Sequence, residues 1–529
     1  MARPTRILAE LCARSTRFGR DFARDEQGSI LPFSLIMFLL MLMAGGMTID
    51  IMRHERARVL LQNTIDRAVL AAADLDQNRD AETVVNDYFA AAGLSDYLTD
   101  VDVDQGLNYK VVSATASATI PTFFMNMVGV DTLTAPASGQ AEERIENVEI
   151  SLVVDISGSM GSSNRLTNLK IAAKEFIDTV ISSTPPSGVE SEGFTSMSII
   201  PYQGMVNIGD ELGARFNLSD AHDYSQCVVF DLANYSSTAI TNTQLLDRMG
   251  HFDKDTWSGS SPISSPNCPV ADDEAIITHS VSRTDLKAKI NALTAGGWTA
   301  IDVGLKWGVA LVDPAARAIV NSLESAGLVH EETRDRPAEY DDDQTLKVVV
   351  LMTDGENTNQ YDLKPEFKSG MSDIWKYTTS GGTVRYSAYV PYWDEWYSPH
   401  NGDWDDEPYG GDDAEQMSYT ELFATFSLRY IASNFYSGIS NSQYNKYRYA
   451  SEQISWTTKA NERTLNLCSS ARAQGIVIFA IGFEAPVGGQ NLMRACASSD
   501  SHYFDVDGVE ISEAFSAIAR TINQLRLTQ

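Results

Sequence analysis

The feature that most limits what this chain can fold into is an uncharged apolar run, SILPFSLIMFLLMLMAGGMTI, over residues 29–49. At about 1.5 Å per residue, a helix of that length covers roughly 30 Å, the thickness of a bilayer's hydrocarbon core. Pro32 falls near its start, where a helix tolerates proline. The run exceeds the apolar core of a cleaved leader. It therefore reads as an anchor rather than a signal peptide cut at the small residues Ala44, Gly45 and Gly46. Arg3, Arg6, Arg14, Arg17, Arg20 and Arg24 precede it and predict a cytoplasmic N-terminus. Asp21, Asp25 and Glu26 dilute that excess, and Arg53, Arg56 and Arg58 stand beyond the run. A long C-terminal part is nevertheless exported regardless of local charge.

Beyond Ile51 the helical pattern continues. IMRHERARVLLQNTIDRAVLAAADL lacks Gly and Pro, and Leu61, Ile65, Ala68 and Ala72 fall on one face. One helix is thus expected to leave the membrane and become an amphipathic stalk. Residues 101–141 alternate like strands, as in KVVSATASATI, which predicts a small α+β region before the main domain. With Gly28-Ser29 before the apolar run, Asp50 just after it and LQNTIDRAVLAAAD beyond, the segment resembles the N-terminus of TadG-like proteins of the Tad/Flp pilus assembly system. That resemblance implies a single-pass protein of the bacterial inner membrane, with its C-terminal part periplasmic or extracellular. It also implies Tad pilus or envelope components as partners. Related pseudopilins are processed at a Gly before the apolar segment and keep a Glu five residues on. Here Gly28 would put Phe33 at that place.

The whole chain has 529 residues, of which 43% are hydrophobic and 21% charged, a composition that buries a large core. Its net charge is −31. Such a surface repels phosphate backbones and excludes nucleic acid as a partner, while it suits hard cations.

A candidate cation site begins at VEISLVVDISGSM. The apolar stretch reads as a buried parallel strand. It runs into Asp155-x-Ser157-x-Ser159, and RLTNLKIAAKEFIDTVISS follows as a helix. A strand, a polar loop and a helix place the loop at the carboxyl edge of a sheet, where α/β folds bind ligands. One carboxylate and two hydroxyls at alternating positions can face a single hard cation. Alone, the motif also fits a turn held by local hydrogen bonds.

Two further segments add to it. Gly296-Gly297-Trp298-Thr299 lies between RTDLKAKINAL and AIDVGLKWGVALV, and LKVVVLMTDGENT reads as a second buried strand ending at Asp354-Gly355. Together these resemble the metal-ion-dependent adhesion site of von Willebrand factor A (vWA) domains. The resemblance implies Asp155, Ser157, Ser159, Thr299 and Asp354 as the ligand set. It implies Mg²⁺, or Mn²⁺ or Ca²⁺, as the cofactor. The partner would be a protein whose carboxylate completes the metal shell. The fold it implies is α/β: a doubly wound, mostly parallel, Rossmann-like sheet with large insertions. SMSIIPYQGMVNI, GIVIFAIGFE and HYFDVD read as further strands. Ile511, Phe515, Ile518 and Ile522 recur at helical spacing in a final amphipathic helix.

The domain plan is therefore a cytoplasmic tail over residues 1–28, a transmembrane helix over 29–49, a stalk with the small α+β region over 50–145, and the vWA domain over 146–529. Insertions are expected at about 212–280 and 360–455. In the second, PYWDEWYSPHNGDWDDEPYGGDDAEQ alternates aromatics with carboxylates without Lys or Arg. Calcium or sugar binding is one reading of it, and a solvated, partly folded surface loop is the plainer and favoured one.

Cys12 precedes the apolar run, and Cys227, Cys268, Cys468 and Cys496 follow it. Four cysteines on the far side suit two disulfides in an oxidising compartment, against the alternative of four unrelated buried thiols. Cys227–Cys268 would tie the first insertion. Cys468–Cys496, whose setting TadG-like proteins share, would contribute ~3.5 kcal/mol by restricting the unfolded chain. Two other functions fit parts of the sequence, a surface adhesin not needed for assembly and a metal-dependent hydrolase. The hydrolase lacks support: His54, His222, His251, His279, His330, His400 and His502 form no ligand spacing such as H-E-x-x-H, and DISGSM carries no adjacent base.

Protease added to spheroplasts is expected to digest residues 146–529 and leave the arginine-rich tail intact. Protection of the C-terminal part would reverse the topology.

Overall fold

The computed structural model describes residues 30–74, 79–105, 109–144, 147–181, 194–257, 263–342 and 344–525. The expected cytoplasmic tail, Cys12 and Asp343 lie outside the described residues. The chain forms two compact units, Met1–Glu143 and Arg144–Gln529.

In the first unit the apolar run and the stalk are one uninterrupted helix, α1 (Ile30–Ala73). Its first half is long and apolar enough to cross a membrane, and its side chains there are exposed. Its second half buries Leu61, Ile65, Ala68 and Ala72, the face expected from their spacing. Helix α2 (Ala81–Ala91) is capped by Asp80, whose carboxylate accepts from Thr83 N–H at 2.9 Å. Three strands, β1 (Leu98–Gln105), β2 (Tyr109–Pro121) and β3 (Thr132–Arg144), form a sheet in that order. Val112, Ala114, Ala116 and Ala118 of β2 alternate into the core shared with α1. Small side chains there let the helix lie close to the sheet.

The second unit is built on six strands: β4 (Asn147–Asp155), β5 (Thr195–Tyr202), β6 (Ile277–Ser280), β7 (Thr345–Thr353), β8 (Val477–Phe483) and β9 (Tyr503–Val506). Their order is β9-β8-β7-β4-β5-β6. All neighbours are parallel except β6, which pairs antiparallel with β5 at one edge. The two halves wind outward from β4 and β7, the doubly wound order, whose switch point lies between those strands. Both central strands are buried on two faces, as parallel strands covered by helices must be. Val148, Ile150, Leu152 and Val154 of β4, with Leu346, Val348, Val350 and Met352 of β7, face one core. That core is shared with α3 (Arg165–Val180), α4 (Arg283–Ala292) and α8 (Ile511–Leu525). Val153, Val349 and Leu351 face the other, with α5 (Ile301–Ala310), α6 (Thr457–Ala473) and α7 (Val487–Cys496). Ile511, Phe515, Ile518 and Ile522 of α8 are all buried, as their spacing requires.

The Cys227–Cys268 bond lies in the segment between β5 and β6, and Cys468–Cys496 joins α6 to the end of α7. The second insertion departs from the favoured expectation of a partly folded loop. Its neck is an antiparallel pair, Gln360–Leu363 with Ser451–Ser455. Beyond it stand a five-stranded antiparallel sheet and the helices Tyr419–Thr425, Leu428–Tyr436 and Asn441–Arg448. The physical reason is aromatic packing. Tyr386 meets Phe426 at 5.0 Å between ring centroids, Tyr436 stacks on Tyr447 at 5.3 Å, and Ile374, Ala388, Leu422 and Phe435 close the core around them. The acidic-aromatic stretch is only its outer edge.

Trp307, on α5, is fully buried and packs against Phe216 and Phe230 at 5.3 and 5.6 Å. Trp307→Ala is expected to cost about 3–5 kcal/mol, read as a shift in the urea unfolding midpoint followed by near-ultraviolet circular dichroism.

Candidate metal site

The switch point gathers three loops. β4 delivers Asp155, whose carboxylate accepts from Ser157 N–H at 2.8 Å and from the Thr353 hydroxyl at 2.7 Å. The next residues turn so that the Ser157 and Ser159 hydroxyl oxygens lie 3.1 Å apart. From β7 comes Asp354, whose Oδ1 accepts from Ser159 Oγ at 2.7 Å. The third loop, ahead of α5, is tied to the first. Gly158 N–H donates to Gly297 O at 3.2 Å, and Gly296 N–H to Ile156 O at 2.9 Å. Gly297 has φ +69°, and a Cβ there would run into the Gln203 side chain, so only glycine fits. Thr299 follows, held by Thr358, whose N–H and hydroxyl both donate to its carbonyl at 2.9 and 3.0 Å. The Thr299 hydroxyl borders Gly355, since a Cβ on that glycine would stand 3.5 Å from it and 4.0 Å from Ser159 Oγ. The sheet thus brings together all five residues singled out in the sequence, and Asp155, Ser157, Thr299 and Asp354 are buried.

Both carboxyls of the site are held above their ordinary range. Burial, and then the neighbouring Asp354 charge, push Asp155 up to about 6, against hydrogen bonds that favour its charged form. Burial likewise raises Asp354, opposed by the Ser159 hydroxyl and Arg165. Two carboxylates and three hydroxyls supply oxygen only, the donor set of a hard divalent ion such as Mg²⁺, Mn²⁺ or Ca²⁺. So far as the donors decide, the residues fit the metal that the motif implies.

Several neighbours escaped the sequence reading. Arg165, the first residue of α3, donates through Nη1 to Asp354 Oδ2 at 3.0 Å and through Nε to Glu484 at 2.7 Å. Asn357 accepts from Ile301 N–H at 2.7 Å and so fixes the start of α5. Nothing local marks Arg165, whose partners lie 189 and 319 residues away. Asn357 and Thr358 do fall in the DGENT run that supplied Asp354. Trp298, beside Thr299, leaves 57% of its surface exposed.

The strand order and the three loops at its switch point define a vWA-type α/β domain, here in a chain that also carries a long apolar N-terminal helix. Residues 28–75 match the model of a family described as putative Flp pilus-assembly TadE/G-like. No curated protein matches the sequence. Among solved structures, the chain is similar to the vWF domain of the type V pili tip protein Mfa5 from Porphyromonas gingivalis. The identity is 15%, over 72% of this chain and 97% of that one, with a TM-score of 0.32. It is also similar to the pilus adhesin SpaC from Lactobacillus rhamnosus GG, at 12% identity over 81% of this chain and 33% of that one, TM-score 0.30. A third likeness is to proximal thread matrix protein 1 from the mussel byssus, described with a zinc occupied MIDAS motif. It has 13% identity over 72% and 46%, TM-score 0.25. At such scores these likenesses do not carry the assignment, which follows from the strand order and the loops.

Because the folded Asp155 carboxyl sits at about 6 against an ordinary 3.8, the folded protein keeps a proton that the unfolded chain has lost. Stability from this group is therefore greatest at low pH and falls as pH rises from about 4 to about 6. In chelator, the melting temperature of wild type minus that of Asp155→Asn is expected to decrease across that window, as followed by differential scanning fluorimetry.

Proposed function

We propose that this is a membrane-anchored envelope protein of a Tad/Flp-type pilus assembly system. In this reading it binds a protein partner through a divalent ion, Mg²⁺ in the first instance, held by Asp155, Ser157, Ser159, Thr299 and Asp354. The observation that carries the reading is the buried pair Asp155 and Asp354 on adjacent central strands, linked to each other through Ser157 and Ser159. Five side chains leave part of a hard ion's shell to water, and a partner's carboxylate can displace one of those waters. The metal then bridges two proteins. Trp298 adds an exposed aromatic surface beside the site, a residue type that concentrates binding energy in interfaces. The TadE/G-like match over residues 28–75 supports the pilus context and the anchor. In this reading the N-terminal tail is cytoplasmic, the anchor lies in the inner membrane and the vWA-type domain faces the periplasm or the exterior.

Binding is favoured over catalysis by the same geometry. Among the described residues, the Ser157 and Ser159 hydroxyls bond to each other and Ser159 to Asp354, and none of these bonds runs to a histidine or lysine.

Full-length protein incubated with envelope extracts is expected to retain a partner in Mg²⁺ or Mn²⁺ and to lose it in chelator or as Asp354→Ala. Equal recovery of every partner in all conditions would remove the role given to the site. Deletion separates assembly from adhesion: loss of pili supports assembly, and normal pili with lost attachment supports the surface adhesin.

A further inference from the structure

The turn joining β2 to β3 has an unusual make-up for a water-facing tip. Residues 121–130 read PTFFMNMVGV and carry no charge. Phe123, Met127 and Val128 are 65%, 70% and 50% exposed. The rest of the turn is held against α1 at one level. The Phe124 ring lies on Gly46 so closely that a Cβ there would collide with it. Asp50, 1% exposed, accepts from the N–H groups of Phe123, Phe124 and Met125 at 3.0, 2.7 and 2.9 Å. Arg53 donates to Pro121 O at 3.1 Å and covers one face of the Phe123 ring at 4.1 Å. Gly46 belongs to the apolar run and Asp50 is the first charge after it. The tip therefore stands where α1 leaves the hydrocarbon.

Its backbone also suits that place. A segment that enters lipid must satisfy its N–H groups internally. Besides the three donors taken by Asp50, Met127 N–H donates to Phe124 O, Gly129 N–H to Asn126 O and Val130 N–H to Met125 O, at 3.1, 3.0 and 3.1 Å. The Thr122 N–H and hydroxyl both reach Asp131 O. Outward stand the apolar side chains of Phe123, Met127 and Val128, with the uncharged Asn126 between them. Three exposed hydrophobic residues in water cost free energy, and the acyl boundary beside the helix removes that cost.

We propose that the β2–β3 turn is a second membrane contact, in which Phe123, Met127 and Val128 enter the lipid interface on the side where α1 emerges. This rests on α1 being a membrane span, and it goes beyond that reading. A single helix would leave the first unit free to tilt and spin, whereas a second contact, bonded to the helix through Asp50, fixes its height and rotation against the bilayer.

The test is spin-label depth in the full-length protein reconstituted into phosphatidylcholine–phosphatidylglycerol vesicles. Single labels go on Phe123→Cys and Met127→Cys in a Cys12→Ser background, both at exposed positions. Leu39→Cys serves as the mid-run control and Ala90→Cys, exposed on α2, as the aqueous one. Oxygen, which concentrates in lipid, is expected to relax the 123 and 127 labels more than a water-soluble nickel chelate does. Their depth should fall between the two controls, about 5–10 Å below the headgroups. If both labels read as aqueous as position 90 while position 39 stays deep, the second contact is wrong and the span stands. If position 39 also reads aqueous, the span fails and takes the proposal with it. Shielding of both labels from both reagents would mean that protein, not lipid, covers the turn, and would overturn the proposal as well.

Discussion

Two carboxylates brought to the ends of neighbouring buried strands are the constraint around which the larger unit is arranged. Asp155 closes β4 and Asp354 follows β7, and at the ends of these paired parallel strands both residues are buried. Each is stabilised piecemeal: a backbone N–H and the Thr353 hydroxyl for one, the Ser159 hydroxyl and Arg165 for the other. Those bonds offset the desolvation and mutual repulsion only in part, since both groups remain shifted upward. A fold that retains this arrangement keeps a standing demand for positive charge at its carboxyl edge. In the proposed function a divalent ion meets that demand, beside the single guanidinium already there.

The same economy of buried polar groups recurs in the first unit. Asp50 is buried beside the apolar run, yet it is not stranded, because three backbone donors of the β2–β3 turn converge on it and Arg53 lies 3.7 Å away. In both places a carboxylate next to a strongly apolar element joins segments far apart in the sequence. In the first unit this ties a turn to the long apolar helix α1. In the second it ties the central strands to each other and to the loop before α3.

How much of this could be read beforehand depended on whether the signal was local. The continuous apolar runs of β4 and β7 and the Asp-x-Ser-x-Ser turn declared a buried parallel sheet with a polar edge. The face of α8 followed from its spacing, as did the stalk face of α1. Thr299 and Asp354 could be named only through family resemblance, because no rule of spacing joins a residue at 299 to one at 155. The Arg165 bridge to Glu484 spans 319 residues and left no trace in either neighbourhood. Asp50 stood out as a position in a family pattern, but its partners lie 73 to 75 residues on, in a turn whose apolar content gave no hint of the helix beneath it. The second insertion misled for a different reason. Its acidic-aromatic edge looks solvated because it is, and the core that holds it, from Ile374 through Tyr447, is scattered on either side of that edge.

In the proposed function the edge between β4 and β7 holds one hard divalent ion and leaves room in its shell. Mn²⁺ titration of the full-length protein, read by water-proton relaxation and by electron paramagnetic resonance, tests this directly. The expected result is one saturable Mn²⁺ that strongly enhances water relaxation because it keeps exchangeable waters, is displaced by Mg²⁺ and is lost in Asp155→Asn. Mn²⁺ binding that is absent, or that survives unchanged in Asp155→Asn, would contradict it.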